Sequence, residues 1–192
     1  MKLNRLLKKI RACDLCADYL TKGVRPVLSA GSGARIAVIG QAPGRRVHES
    51  GVPWKDPSGD RLRLWLGVDD KTFYDPDVFA IIPMGFCFPG SGKSGDLPPR
   101  PECAPAWHEF LWELLPDLRL SLLIGRFAQE YYLEKRAATL TETVRAHRRY
   151  HKQSLFPLPH PSPRNGIWLR KNPWFETEVL PALRRRVKAA RR

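Results

Sequence analysis

The sequence predicts an α/β fold: a three-layer α/β/α sandwich around a four-stranded parallel sheet. Three observations predict it. Four short segments, Ile36–Gly40, Val78–Met84, Leu120–Gly125 and Leu155–His160, are largely apolar rather than alternating, which is the pattern of strands covered on both faces. Helical patterns lie between and after them, and strands that alternate with helices pair in parallel with helices on both sides. The chain has 192 residues, 43% of them hydrophobic, which suits one domain over 1–192 with a single sizeable core.

The helical patterns are Asp60–Leu66, Ala104–Leu115, Arg126–Leu133 and Thr141–Tyr150, with a last helix from Pro173 to Ala190. Asn172 is placed to cap that helix, with Pro173 at its first position. Residues 1–33 form an N-terminal segment in which Leu3, Leu6, Leu7 and Ile10 recur at helical spacing. This stretch is basic and lacks the unbroken apolar run and small-residue cleavage site of a signal peptide. The chain also has no run of eighteen apolar residues, so no membrane span is expected. A cytosolic, monomeric protein is the expectation. The basic stretch Arg184–Arg192 is expected to fray or to make diffuse contacts with phosphate.

Net charge is +14, from 33 Lys and Arg against 19 Asp and Glu. Such an excess favours a polyanionic partner, because basic side chains displace the counterions condensed on nucleic acid. In a parallel sheet ligands bind beyond the C-terminal ends of the strands. Three segments there are rich in Gly and Pro: Gln41–Gly59, Phe88–Pro101 and Pro157–Pro173. The second contains Gly92-Lys93-Ser94, but the first glycine of a phosphate-binding P-loop would fall at Cys87. A nucleotide triphosphatase is therefore excluded, and Lys93 reads as a contact to nucleic-acid phosphate.

The chain has four cysteines. Cys13 and Cys16 form a CxxC pair, while Cys87 and Cys103 bracket the Phe88–Pro101 loop. Structural disulfides are rare in the cytosol. Two thiolates from one turn and two from a distant loop can close a tetrahedral site, for which zinc and a [4Fe–4S] cluster are both suitable occupants. The spacing does not choose between them.

Two strand-end loops carry the chemistry. Gly40-Gln41-Ala42-Pro43-Gly44 follows the first strand, with glycines that permit a tight turn and close approach of backbone N–H groups. His160-Pro161-Ser162-Pro163-Arg164 follows the fourth. Its prolines hold the imidazole in place, and Ser162 and Arg164 can meet a phosphate. Together these loops resemble the motif pair of the uracil-DNA glycosylase superfamily, in the right order and at opposite ends of the chain. The cysteine spacing resembles that of its family 4 branch, which carries a [4Fe–4S] cluster. The resemblance implies an α/β/α sandwich acting on DNA that contains uracil or another deaminated base. It further implies a glycosylase of base excision repair that flips the nucleotide out and hydrolyses its N-glycosidic bond.

On that resemblance, Cys13, Cys16, Cys87 and Cys103 hold the cluster. His160 donates to uracil O2, and Gln41, Ala42, Pro43 and Gly44 hold the base. Gly51-Val52-Pro53-Trp54 matches a family segment whose aromatic stacks on uracil, which assigns Trp54 to that role. Ser58 and Gly59 of Lys55–Gly59 resemble the rigid loop that grips the DNA backbone. The chain also departs from the pattern. Ala42 stands where the best-known branch has a carboxylate, and Gln41 where family 4 has Glu. Val47 and His48 replace an acidic pair. Water orientation then falls to His48, Glu49 or Asp56. The family's second strand ends with an Asn that reads the edge of uracil; the aligned stretch here, Ile81 to Cys87, has none, so base recognition is expected from backbone groups near Met84–Phe86, including Phe86, or from another side chain. Two other readings follow from these departures and from the cysteines. One is a non-catalytic or covalently trapping DNA binder; the other is a zinc-stapled RNA-binding domain.

Overall fold

All four apolar segments pair in one parallel sheet in the computed structural model, which describes residues 2–93 and 95–192. The strands are β1 (Ile36–Ile39), β2 (Phe79–Ile81), β5 (Leu120–Ile124) and β6 (Leu155–Leu158), in the order β2-β1-β5-β6. A two-residue hairpin, β3 (Ser91–Gly92) with β4 (Gly95–Asp96), stands apart. In the register, Val38 faces Ile81 on one side and Leu122 on the other, and Leu122 faces Phe156. Each main strand stops short of its expected end. Gly40, Gly125 and His160 leave the ladder to start loops, Gly125 with φ +82°, a conformation open to glycine.

The sandwich is visible in how alternate residues pack. Val38, Leu122 and Phe156 point to a layer with Leu62, Phe175 and Leu183. Ala37, Ile39 and Leu123 point the other way, toward Ala128 and Tyr150, and Ala80 and Ile82 lie over Leu6, Ile10 and Leu111. The helices of these layers are α1 (Leu3–Arg11), α2 (Arg45–Ser50), α3 (Pro57–Leu66), α4 (Asp70–Phe73), α5 (Cys103–Glu113), α6 (Arg126–Tyr132), α7 (Leu140–Arg145), α8 (Gly166–Lys171) and α9 (Leu180–Ala190). As expected, α1 buries Leu3, Leu6, Leu7 and Ile10. No described helix is long and apolar enough to cross a membrane.

Several elements differ from expectation for identifiable reasons. Helix α3 begins earlier than Asp60, because the Asp56 side chain caps it and Pro57 opens it. The segment expected as a helix over Thr141–Tyr150 divides. Helix α7 is set by a capping box between Thr139 and Glu142, then the chain tightens to 3-10 winding over His147–Gln153. At three residues per turn, His147 and Tyr150 fall on one side, and both are buried. Asn172 does not cap a helix at Pro173. Its amide donates to the Trp168 carbonyl at 2.8 Å and its oxygen accepts from Trp174 Nε1 at 3.2 Å. The chain is wound wide over Phe175–Val179 before α9, where Pro181 has no N–H to return to the preceding turn. The basic end does not simply fray: α9 runs to Ala190 with Val187 and Ala190 buried, and Arg35 Nη1 donates to the Arg191 carbonyl.

Candidate active site

A cleft of about 560 Å³ opens at the C-terminal ends of the strands. The turn after β1 forms one wall, and Gln41, Ala42, Pro43 and Gly44 all line it. Gly40 is required by close approach: a Cβ there would lie 2.8 Å from Trp54 Cζ2. The turn is braced from both sides. Gly85 N–H donates to the Gln41 carbonyl at 3.0 Å, and Gln41 Nε2 donates to the Leu97 carbonyl at 3.2 Å.

The loop after β6 forms the facing wall, with His160, Ser162 and Arg164. Asn165 Nδ2 donates to the His160 carbonyl at 2.8 Å, and Arg61 Nη1 from α3 donates to the Ser162 carbonyl at 3.0 Å. The Ser162 N–H donates to His160 Nδ1 at 3.2 Å. A nitrogen that accepts carries no proton, so the neutral ring holds its proton on Nε2. Burial lowers the pKa of His160 below its ordinary 6.5, against the opposing pull of the Asp56 and Asp96 carboxylates. The ring is thus neutral at neutral pH.

Trp54 stacks on His160, with ring centroids 5.6 Å apart and planes 30° from parallel. Its backbone has φ +56°, uncommon for a large side chain, and its neighbours hold it there. Arg63, buried on α3, donates to the Trp54 carbonyl at 3.4 Å and is itself paired with Asp60 at 2.5 Å and Asp70 at 2.7 Å. Gly59 admits that carbonyl: a Cβ on Gly59 would lie 1.7 Å from it.

With this geometry in place, a comparison with known families is decisive. The model of the uracil DNA glycosylase superfamily matches residues 28–184. The chain belongs to that superfamily. Membership carries the coarse activity, DNA glycosylase chemistry, a hydrolytic step of base excision repair that acts on DNA.

The cleft gathers many of the residues singled out from the sequence: Gln41 to Gly44, Trp54, Asp56, Ser58, His160, Ser162 and Arg164. Others lie elsewhere or are already engaged. Gly59 N–H donates to Asp56 Oδ1 at 2.9 Å, so it caps α3 rather than standing ready for a phosphate. His48 and Glu49 sit on α2 outside the cleft lining. The His48 ring packs on Phe88 at 5.9 Å with Nδ1 buried and unpartnered, and Glu49 is exposed. Phe86 is a core residue stacked on His108 at 5.7 Å. The expected backbone readers beside it are engaged as well: Met84 N–H donates to the Gly40 carbonyl and Phe86 N–H to Cys103 Sγ. Lys93 is exposed on the β3–β4 turn, outside the cleft lining. Sequence reading missed Arg45, Arg46 and Asp96, which line the cleft, and Arg61, which fixes the histidine loop. The two arginines follow Gly44 directly in the sequence, a legible signal, whereas Asp96 is distant in sequence and reaches the site only through the hairpin.

The four cysteines converge. Cys13, Cys16, Cys87 and Cys103 line one small apolar pocket with Leu20 and Phe86, and none of them is in a disulfide. Burial pushes the Cys103 thiol up to about 12, so it loses its proton only to a strongly attracting centre. Among the described residues no group of three or more His, Cys, Asp or Glu is placed to hold a metal ion.

Proposed function

We propose that this chain is a monofunctional uracil-DNA glycosylase. It acts as a single-domain monomer that flips uracil from DNA into the cleft and hydrolyses the bond between uracil N1 and C1′ of the sugar. The observation that carries this reading is His160, kept neutral by burial and with its proton directed to Nε2 by the Ser162 N–H. As the bond breaks, its electron pair passes into the uracil ring and charge grows on O2. A fixed, partly desolvated donor aimed there is worth about 10²–10³ in rate. The sugar becomes oxocarbenium-like and takes up water. Trp54 offers an indole face for the extruded base, and the Gln41–Gly44 turn confines it. Arg45, Arg46 and Arg164 supply positive charge at the rim for the phosphates on either side.

Of His48, Glu49 and Asp56, the residues the sequence offers to orient water, Asp56 alone lines the cleft. The absence of Asn on the second strand leaves room for hypoxanthine or xanthine as further substrates. A covalently trapping reading would call on His48 of the basic Arg45–His48 stretch as its nucleophile, and that ring lies outside the cleft lining, packed on Phe88. A [4Fe–4S] cluster held by Cys13, Cys16, Cys87 and Cys103 is our reading of the thiol pocket. When bound it ties the N-terminal segment and the loop before α5 to the core. The residues above perform the reaction.

The test is a single-turnover assay with excess enzyme and oligonucleotides bearing one deoxyuridine, hypoxanthine or xanthine. Free uracil and an abasic strand are expected. Intact deoxyuridine DNA would refute the uracil assignment, and a protein–DNA adduct that survives denaturation would revive trapping.

A further inference from the structure

The first motif lacks its carboxylate, yet a carboxylate stands beside it. Asp96 ends the β3–β4 hairpin and lines the cleft with Gly44 and His160. Its Oδ2 lies 3.2 Å from the point where a Cβ on Gly44 would sit, so the glycine leaves the space that the carboxylate uses. Its charge reaches His160, whose protonated form it favours.

The hairpin is anchored to the site. Gln41 Nε2 holds the Leu97 carbonyl at 3.2 Å, and Leu97 N–H returns to the Gly90 carbonyl at 2.9 Å. Arg164 of the histidine loop lies against Gly95, where a Cβ would be 2.6 Å from Nη1. Gly95 has φ +139°, so a side chain there would be strained as well as blocked. Ser91 Oγ donates to Asp96 Oδ1 at 3.4 Å, which orients the carboxylate and leaves Oδ2 toward Gly44. The other carboxylate of the cleft, Asp56, spends one oxygen on the α3 cap.

We infer that Asp96 supplies, from the hairpin, the carboxylate that Gln41 and Ala42 lack, and that it orients the attacking water. This rests on the glycosylase reading. The water oxygen bonds to C1′ as N1–C1′ breaks, the bonding pair leaves with the uracil anion, and the water proton passes to the Asp96 carboxylate. Gln41, which is no base, serves instead to hold the hairpin that brings one.

The experiment measures single-turnover base release, and separately affinity for DNA with a non-hydrolysable deoxyuridine analogue, for wild type, Asp96→Asn, Asp56→Asn and Asp96→Asn combined with Ala42→Asp. Asp96→Asn should lose about 100-fold in rate. Its DNA binding should hold or tighten, since a negative charge near phosphate is gone. Ala42→Asp, which restores a carboxylate at the family's position, should recover about tenfold of the loss. The inference is overturned if Asp96→Asn keeps its rate within about threefold while Asp56→Asn loses it. It is equally overturned if rate and binding fall together without rescue, which marks a hairpin of structural importance only. A wild type that releases no base from any of these DNAs sinks the glycosylase reading, a result distinct from either.

Discussion

The backbone N–H of Ser162 donates to Nδ1 of His160 across 3.2 Å, and that bond decides which ring nitrogen can serve the substrate. With Nδ1 accepting, Nε2 carries the proton. Replacing His160 with Ala should lower single-turnover base release by about 10²–10³ with little change in DNA affinity, and His160→Gln, which keeps an N–H donor, should recover part of it. The pH dependence has a definite sign. Burial lowers the folded pKa below 6.5, so the ring is already neutral at pH 7 and the rate should not climb above it on this account. Protonation in acid puts a proton on Nδ1, breaks the Ser162 bond and lets the loop shift. An acid limb below pH 6.5 that disappears in His160→Gln is the expected profile.

Trp54 and His160 form a second linked pair. The indole rests on the imidazole at 5.6 Å, so a flipped base must slide along or displace this contact. Stacking on an aromatic ring is worth roughly 1–3 kcal/mol per base. Trp54→Ala should therefore weaken binding of DNA with a deoxyuridine analogue far more than binding of undamaged DNA, while Trp54→Phe retains most of the preference. Equal weakening for both DNAs would mean that Trp54 only packs the loop.

The sheet was legible because burial on both faces leaves its mark on every strand residue, and because Gly40, Gly125 and His160 punctuate the strand ends. His160 was legible from its loop, where Pro161 and Pro163 flank Ser162. The charge of Asp56 points to chemistry, but the Asp-Pro-Ser-Gly order signals a helix start as clearly as a catalytic acid, and the side chain caps α3. Phe86 faces the core, which its sequence does not reveal, because strand-end aromatics look alike whether they face the core or the cleft. Asp96 was not legible: its relation to Gly44 depends on a hairpin folded back by Gln41 and Arg164, and no local pattern encodes that.

The thiol pocket makes a spectroscopic prediction. Anaerobically purified protein should be brown, with broad visible absorption and iron bound at the cluster's stoichiometry. Cys103→Ser removes the deepest of the four thiols, at the start of α5 where Phe86 N–H meets the sulfur at 3.4 Å. This variant should lose iron and colour together and melt several degrees lower, because a group bound only by the folded chain stabilises it. A colourless, zinc-loaded wild type would exclude the cluster. Brown protein that stays brown in Cys13→Ser, Cys16→Ser, Cys87→Ser and Cys103→Ser alike would show that the iron sits elsewhere.

A buried histidine outside the site should make the fold sensitive to acid. His108 on α5 is 1% exposed. Its Nε2 donates to the Pro83 carbonyl at 3.1 Å, and its Nδ1 accepts from the Tyr132 hydroxyl, which in turn accepts from Trp112 Nε1 at 3.1 Å. Every polar atom of this chain has a partner only while the ring is neutral, and burial pushes its pKa down to about 4. Between pH 6.5 and about 4 the unfolded chain binds a proton that the folded one does not. Stability therefore rises with pH across that window and is lost as pH falls through it. The difference amounts to about 3 kcal/mol for His108 at full development. His147, also near 4 through burial beside His151 and Arg148, acts in the same direction. Urea midpoints at pH 7, 5 and 4 should fall steeply for wild type. His108→Gln, which can still donate to Pro83 and accept from Tyr132 without titrating, should start less stable at pH 7 and lose less on acidification. Parallel pH profiles for the two proteins would assign the acid sensitivity to the carboxylates instead.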